Sequence, residues 1–270
     1  MKARLAPTPS GYLHAGNAAN FLLNAELARR AGASLLLRFD DLDRARYRPA
    51  YVTDALRVIG QLGVAYDEGP RSVEELEATW SQHHRLPAYR AALDDLRGQP
   101  RLFACRCSRR ELAAGEHPHG CRRGRVALDE ADVAWRIDTR GLAAVTVPDR
   151  VAASPFRVDL DATMRDFAVR RRDGTPSYQL ACTVDDLTFG ITTVGRGQDL
   201  LPSTAAQLLL ADLLGYAPAT DRMTFVHHPL VTDPDGAKLS KSAGAAAAPV
   251  DFTDATLGEL RKLVAGWLPQ

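Results

Sequence analysis

No apolar run in the 270-residue chain approaches the roughly 18 residues that a membrane-spanning helix needs. The first 20 residues carry Pro, Gly and His where a secretory leader would have a basic stretch followed by an apolar one. These absences predict a cytosolic, cytoplasmic protein with no membrane partner. A surplus of one charge is also missing: 34 Lys and Arg face 33 Asp and Glu, for a net charge of +1. The chain as a whole is therefore no polycation, and any nucleic-acid partner must meet a local patch. Internal repeats are absent. Neither familiar phosphate-loop pattern, G-x-x-x-x-G-K followed by Ser or Thr, or G-x-G-x-x-G, follows the first strand-like stretch.

What is present suits one large domain or two modest ones: 46% hydrophobic and 25% charged residues are ordinary for a globular chain with a sizeable core. Residues 2–6 read as a short strand, 7–11 as a loop of breakers, and 17–30 as a helix with apolar residues at Phe21, Leu22, Ala25 and Ala28, stopped by Gly32. The apolar run 34–39 predicts a strand buried on both faces. Strand, helix, strand is a βαβ unit and points to a doubly wound parallel sheet. Helical patterns follow at 50–62 and 83–96, and periodicity fails near Arg101. Residues 101–175 read as an insertion of different character. It has short strands at 133–137, 144–147 and 156–158, and a turn at Asp173-Gly174 joining two more ordered pieces. The α/β pattern resumes with a strand at 191–195, a helix at 203–214 and a strand at 223–226. Ala and Pro dominate 243–249, and 252–267 predicts a last helix with Thr253 as N-cap.

Three segments carry candidate chemistry. Pro7-Thr8-Pro9-Ser10-Gly11-Tyr12-Leu13-His14-Ala15-Gly16-Asn17 places a His and a Gly at a helix entrance. Unpaired N–H groups and a positive dipole end there favour an anion, Gly16 admits a flat base, and His14 can donate to a phosphate. Lys238-Leu239-Ser240-Lys241-Ser242 holds two lysines three apart, which can grip polyphosphate as mobile point charges. Between them, Cys105, Cys107 and Cys121 share a 17-residue stretch with His117 and His119, amid Arg106, Arg109, Arg110, Arg122, Arg123 and Arg125. Three thiolates and an imidazole are the ligand set of a closed tetrahedral zinc site, although a C-x-C opening is less diagnostic than paired C-x-x-C knuckles. The fourth cysteine, Cys182, lies apart and reads as a small core residue.

Taken together, these segments resemble the class I aminoacyl-tRNA synthetases: His14 to Asn17 is similar to the HIGH motif and Lys238 to Ser242 to the KMSKS motif, one at each end of a split Rossmann fold. Arg4 to Gly11, Arg38-Phe39-Asp40-Asp41-Leu42-Asp43, Tyr178 and Arg196-Gly197-Gln198-Asp199 resemble the glutamyl-tRNA synthetase catalytic domain more closely, so that residues 2–245 are covered. Fewer than 30 residues follow Ser242, and no anticodon-binding region is expected. A shortened form with a Cys-rich insertion is similar to the glutamyl-Q tRNA(Asp) synthetase family, which attaches glutamate to the queuosine base of aspartate tRNA.

The resemblance implies an α/β fold with a split Rossmann-type parallel sheet and an inserted zinc-binding subdomain. Its divisions would be 1–100 and 176–242 for the two catalytic halves, 101–175 for the insertion and 243–270 for a linker and helix. It implies glutamate contacts at Arg4, Ala6, Thr8, Asp40, Tyr178 and Arg196. ATP, bound as its Mg²⁺ complex, would meet His14, Gly16, Asn17, Lys238 and Lys241, and one structural Zn²⁺ would sit on Cys105, Cys107, His117 and Cys121. The implied activity is tRNA-independent formation of glutamyl-adenylate, then transfer to queuosine of aspartate tRNA. A catalytically quiet tRNA-binding paralogue, or an adenylating enzyme with a small-molecule or carrier-protein acceptor, are the alternatives. Two departures from the family pattern stand out. Asp40 replaces the Glu of Arg-Ile-Glu-Asp and is one methylene shorter, and Asn17 replaces the second His of HIGH. Relatives usually have Tyr where His117 stands; imidazole is a better zinc ligand than phenol, so the change implies either a stronger site or competition from His119.

Overall fold

The computed structural model describes residues 1–113, 117, 119–231 and 248–268. In chain order the elements are β1 (Lys2–Leu5), α1 (Ala15–Ala31), β2 (Ser34–Leu37), α2 (Pro49–Gln61), α3 (Val73–Glu75), α4 (Leu86–Leu96), β3 (Leu102–Cys105), α5 (Arg109–Ala113), β4 (Ala134–Ile137), β5 (Val145–Val147), β6 (Phe156–Val158), α6 (Leu160–Thr163), β7 (Ala168–Arg170), α7 (Tyr178–Thr188), β8 (Thr193–Gly197), α8 (Leu201–Leu213), α9 (Ala217–Thr220), β9 (Thr224–His228) and α10 (Asp254–Ala265).

Four parallel strands form the central sheet in the order β2-β1-β8-β9. Two come from the start of the chain and two from beyond residue 190, so a sheet begun early is completed late, as the interrupted α/β pattern predicts. Pleating sends Leu35 and Leu37 into one core with α1, α2 and α10, and Leu36 into the other with α4, α7 and α8. Burial on both faces explains the unbroken apolar run of β2. The direction of winding reverses between β1 and β8, and such a switch point leaves a crevice at the carboxyl ends of the strands.

The caps follow from local chemistry. Gly32 takes the left-handed conformation at φ 57° and ends α1. At the other end, the His14 ring accepts from the Gly16 N–H while the Asn17 side chain accepts from the His14 N–H, a reciprocal capping box that starts the helix two residues before the periodic signal does. Thr253 caps α10 as expected.

Between the two halves of the sheet lie an antiparallel β3-β4-β7 sheet and the β5-β6 hairpin. Strand β3 falls where no periodicity was legible, because its four residues are too few to alternate visibly and run straight into the Cys and Arg stretch. Around Asp173-Gly174 the two ordered pieces are strand β7 and helix α7, which Ser177 caps. Just past β5, Asp149 bridges to Phe225 of β9 and ties the hairpin to the edge of the parallel sheet. No described helix is long and apolar enough to cross a membrane.

Candidate active site and metal centre

A cleft of about 720 Å³ opens at the carboxyl ends of β1 and β8. Ala6, Thr8, His14, Gly16, Asn17, Asp40, Tyr178 and Arg196 all border it, so eight of the residues singled out in the sequence share one cavity. Lys238 and Lys241 lie outside the described residues. Gly16 makes room for the cap: a Cβ there would stand 3.0 Å from His14 Cε1. With Nδ1 accepting from Gly16, the neutral imidazole of His14 carries its proton on Nε2. Asn17 spends its carbonyl on the helix cap, a structural duty that the sequence did not disclose.

Beneath the cleft lies a buried ionic layer. Arg4 donates from Nε to Asp186 at 2.8 Å, and Arg38 donates to the same oxygen at 2.5 Å and to Asp40 at 2.8 Å. Cys182 is a small buried residue, 1% exposed, as expected, and its thiol lies 3.5 Å from Asp40 and 3.6 Å from Arg38. Burial alone would raise the Asp186 carboxyl, yet Arg4 and Arg38 outweigh it and hold the group below its ordinary range. Asp186 and Arg38 extend the expected set. The available sequence signal was a pair of acids, Asp185 and Asp186, on the buried face of α7. The neighbouring Asp185 accepts from Arg85, Tyr89 and Gln82, and its carboxylate also lies 3.7 Å from Arg38.

Arg196 differs from the other two arginines. Its Nη1 donates to Gln207 at 2.9 Å and Thr204 at 3.3 Å, both neutral, while its Nη2 is buried with no partner among the described residues. Burial and the nearby Arg4 charge lower its pKa, so the guanidinium remains a cation but an incompletely compensated one. Arg4 and Arg38 are matched by carboxylates, and so is Arg46 at the cleft edge, by Asp43; among the described residues that line the cleft, Arg196 is the cation with no carboxylate bound to it, which a carboxylate ligand can neutralise.

The metal-ligand candidates converge in the insertion. One potential donor atom from each of Cys105, Cys107, His117 and Cys121 lies within 4.8 Å of the others. His117 Nδ1 is 3.4 Å from Cys105 Sγ and 3.5 Å from Cys107 Sγ, and the Cys107 and Cys121 sulfurs are 3.6 Å apart. His117 presents its other nitrogen, Nε2, to Asp166 at 2.9 Å, the carboxylate support common behind metal-bound imidazoles. Arg122 pairs with the same carboxylate. Burial, then the Arg122 charge, pushes His117 down to about 4, leaving a neutral ring, as ligation requires. His119 instead faces Glu111 at 3.1 Å and is not part of the four-residue group. Cys107 also lies within 4.8 Å of donor atoms of Glu111 and His119, but three buried sulfurs and a neutral imidazole are the donor set that fits a tetrahedral cation such as zinc.

Parallel sheet, crevice at the switch point and helix-entrance motif define a class I synthetase catalytic domain. The family model for class I tRNA synthetases (E and Q), catalytic domain, matches residues 1–132 and 129–262, and the chain belongs to that family. Within it, similar curated relatives include glutamyl-Q tRNA(Asp) synthetases and a glutamate-tRNA ligase of Myxococcus xanthus, 34% identical over 89% of this chain and 52% of its own length. The glutamyl-Q tRNA(Asp) synthetase of Symbiobacterium thermophilum is 42% identical over 90% of this chain and 78% of its own length, and that of Methylococcus capsulatus is 37% identical over 100% and 84%. A solved glutamate tRNA ligase from Elizabethkingia meningosepticum shares the fold, with a TM-score of 0.72 at 24% identity over 91% of this chain. The chain spans about half the length of that structure, 52%.

Proposed function

We propose that the protein activates glutamate with ATP, without tRNA, and transfers it to the queuosine base of aspartate tRNA. The observation that carries the first step is the unmatched Arg196 on the wall of a cleft that also holds His14, Gly16 and Asn17. Arg196 would grip a glutamate carboxylate by a two-point fork, with Tyr178 adding a directional hydroxyl and Ala6, Thr8 and Asp40 shaping the pocket. Arg4 acts from below, held by Asp186. The α-carboxylate attacks the α-phosphorus of ATP, the bond to the β-phosphate oxygen breaks, and pyrophosphate leaves with the electron pair. His14 and the N-terminus of α1 would support the phosphates, and Lys238 and Lys241 would neutralise the charge that develops. Mg²⁺ enters as part of the ATP complex. In the second step, a nucleophile of queuosine attacks the acyl carbon and AMP departs.

The kinship with glutamyl-Q tRNA(Asp) synthetases supports the acceptor, and the cytoplasm, where tRNA is charged, is the matching location. One zinc ion on Cys105, Cys107, His117 and Cys121 would fix the loop that carries the exposed Arg123 and Arg125, presenting them together to RNA phosphates, while Arg122 stays on Asp166 and Arg106 on Glu130. Pyrophosphate exchange with each amino acid, in the absence of tRNA, tests the first step: glutamate-dependent exchange is expected, and none with glutamate would reject it.

Asp40 bears on amino-acid choice. Its carboxylate is drawn back onto Arg38 rather than extended into the cleft. Because Arg196 dominates recognition of the anion, Asp40→Glu should change the KM for glutamate by only a few-fold, roughly the scale of one altered hydrogen bond, and leave glutamate preferred. A switch of preferred amino acid in the exchange assay would show instead that the pocket is built around the shorter acid.

A further inference from the structure

Behind Arg196, away from the cleft, runs a chain of buried polar groups that no part of the proposed reaction uses. Asp149, in the β5-β6 connection, accepts from His227 twice through Oδ2, from the backbone N–H at 2.8 Å and from ring Nδ1 at 2.8 Å. The other ring nitrogen, Nε2, is 2.8 Å from the Thr204 hydroxyl on α8, and that oxygen lies 3.3 Å from Arg196 Nη1. The His227 and Asp149 side chains are 0% and 1% exposed, and Thr204 is 0% exposed. Phe156 meets the imidazole edge-on and Phe225 stacks on it, so the ring is walled by apolar faces.

The donors and acceptors can satisfy one another in one direction. The Asp149 carboxylate fixes the His227 proton on Nδ1, which makes Nε2 an acceptor. The Thr204 hydroxyl has two acceptors in reach, Nε2 at 2.8 Å and the Leu200 carbonyl at 3.2 Å; it donates its one proton to the nearer, Nε2, and its oxygen keeps a lone pair facing Arg196. Each bond polarises the next, and the chain ends on the guanidinium whose Nη2 is left for a ligand. Gln207 holds the same Nη1 from the side at 2.9 Å, so Thr204 sets the angle of the fork rather than its existence.

We propose that Asp149, His227 and Thr204 form a positioning relay that orients Arg196 toward the carboxylate of the amino-acid substrate, with one end anchored in the insertion and the other in the pocket. This rests on the glutamate-activating reading above. None of the three residues touches substrate.

Thr204→Val keeps the shape and removes the hydroxyl; Thr204→Ser restores the hydroxyl. In pyrophosphate exchange, Thr204→Val should raise the KM for glutamate by about tenfold, the usual scale for a hydrogen bond to a charged group, with the KM for ATP within about twofold of wild type. Thr204→Ser should sit near wild type. An unchanged KM for glutamate in Thr204→Val, or equal losses for both substrates, overturns the relay. The nitrogen chemical shifts of ¹⁵N-labelled histidine give a readout independent of activity. His227 should be protonated on Nδ1, with its Nε2 resonance moving in Thr204→Val but not in Thr204→Ser. If the wild type exchanges no pyrophosphate with glutamate, the functional reading fails and these shifts alone decide the relay; a ring protonated on Nε2, or one blind to Thr204→Val, counts against it.

Discussion

Arg196→Gln is expected to lower glutamate-dependent pyrophosphate exchange by on the order of 10²–10³-fold, because removing one partner of a buried carboxylate–guanidinium pair costs about 3–5 kcal/mol. The variant should nonetheless fold and melt at or above the wild-type temperature. In the ligand-free protein the Arg196 cation sits beside Arg4, matched by no carboxylate of its own, and its pKa is lowered by burial and that neighbour. The neutral amide relieves both costs, giving the trade of stability for activity typical of a functional charge. The contrast with Arg4 is diagnostic, since Arg4→Gln would leave Asp186 short of a partner in the buried layer and should lower the melting temperature as well. A loss of activity in Arg196→Gln that merely tracked unfolding would remove Arg196 from the substrate site.

Cys121→Ser is expected to abolish metal binding and reduce transfer to tRNA by at least about tenfold, while adenylate formation stays within a few-fold of wild type. Cys121 is 0% exposed with its sulfur 3.6 Å from that of Cys107, and serine is a poor substitute for a zinc thiolate. None of the residues lining the cleft lies between Cys105 and Cys121, so the two activities should separate. Elemental analysis of the wild type should find about one zinc per chain. Metal-free protein with normal transfer contradicts the site. Equal loss of both activities would mean that the insertion supports the whole fold through ties such as that between Asp149 and β9.

The parts legible in the sequence were those governed by local chemistry. Gly32 stops α1, Thr253 starts α10, and the unbroken apolar run of β2 declares a strand covered on both faces. The cleft was legible as a set of residues because HIGH-like and glutamate-type motifs travel with one geometry. What escaped was partnership across the chain. Arg4 meets Asp186 182 residues away, and nothing near Arg4 announces that its charge is already matched. Asp40 turns back onto Arg38, two residues off, because the third partner of that layer comes from α7. Likewise His117 and His119 were equivalent as letters, and only the fold sets His117 between sulfurs on one nitrogen and Asp166 on the other. Cys182 is the core residue it was expected to be, and only its contact with Asp40, 142 positions distant, was hidden.

The most direct test of the account is transfer of radiolabelled glutamate, with ATP and Mg²⁺, to two preparations of aspartate tRNA that differ only in queuosine. Label is predicted on the queuosine-bearing tRNA alone, at the modified base and not at the 3′ end. Label on the unmodified tRNA, label at the 3′ end, or glutamyl-adenylate that forms but reaches neither tRNA would contradict it.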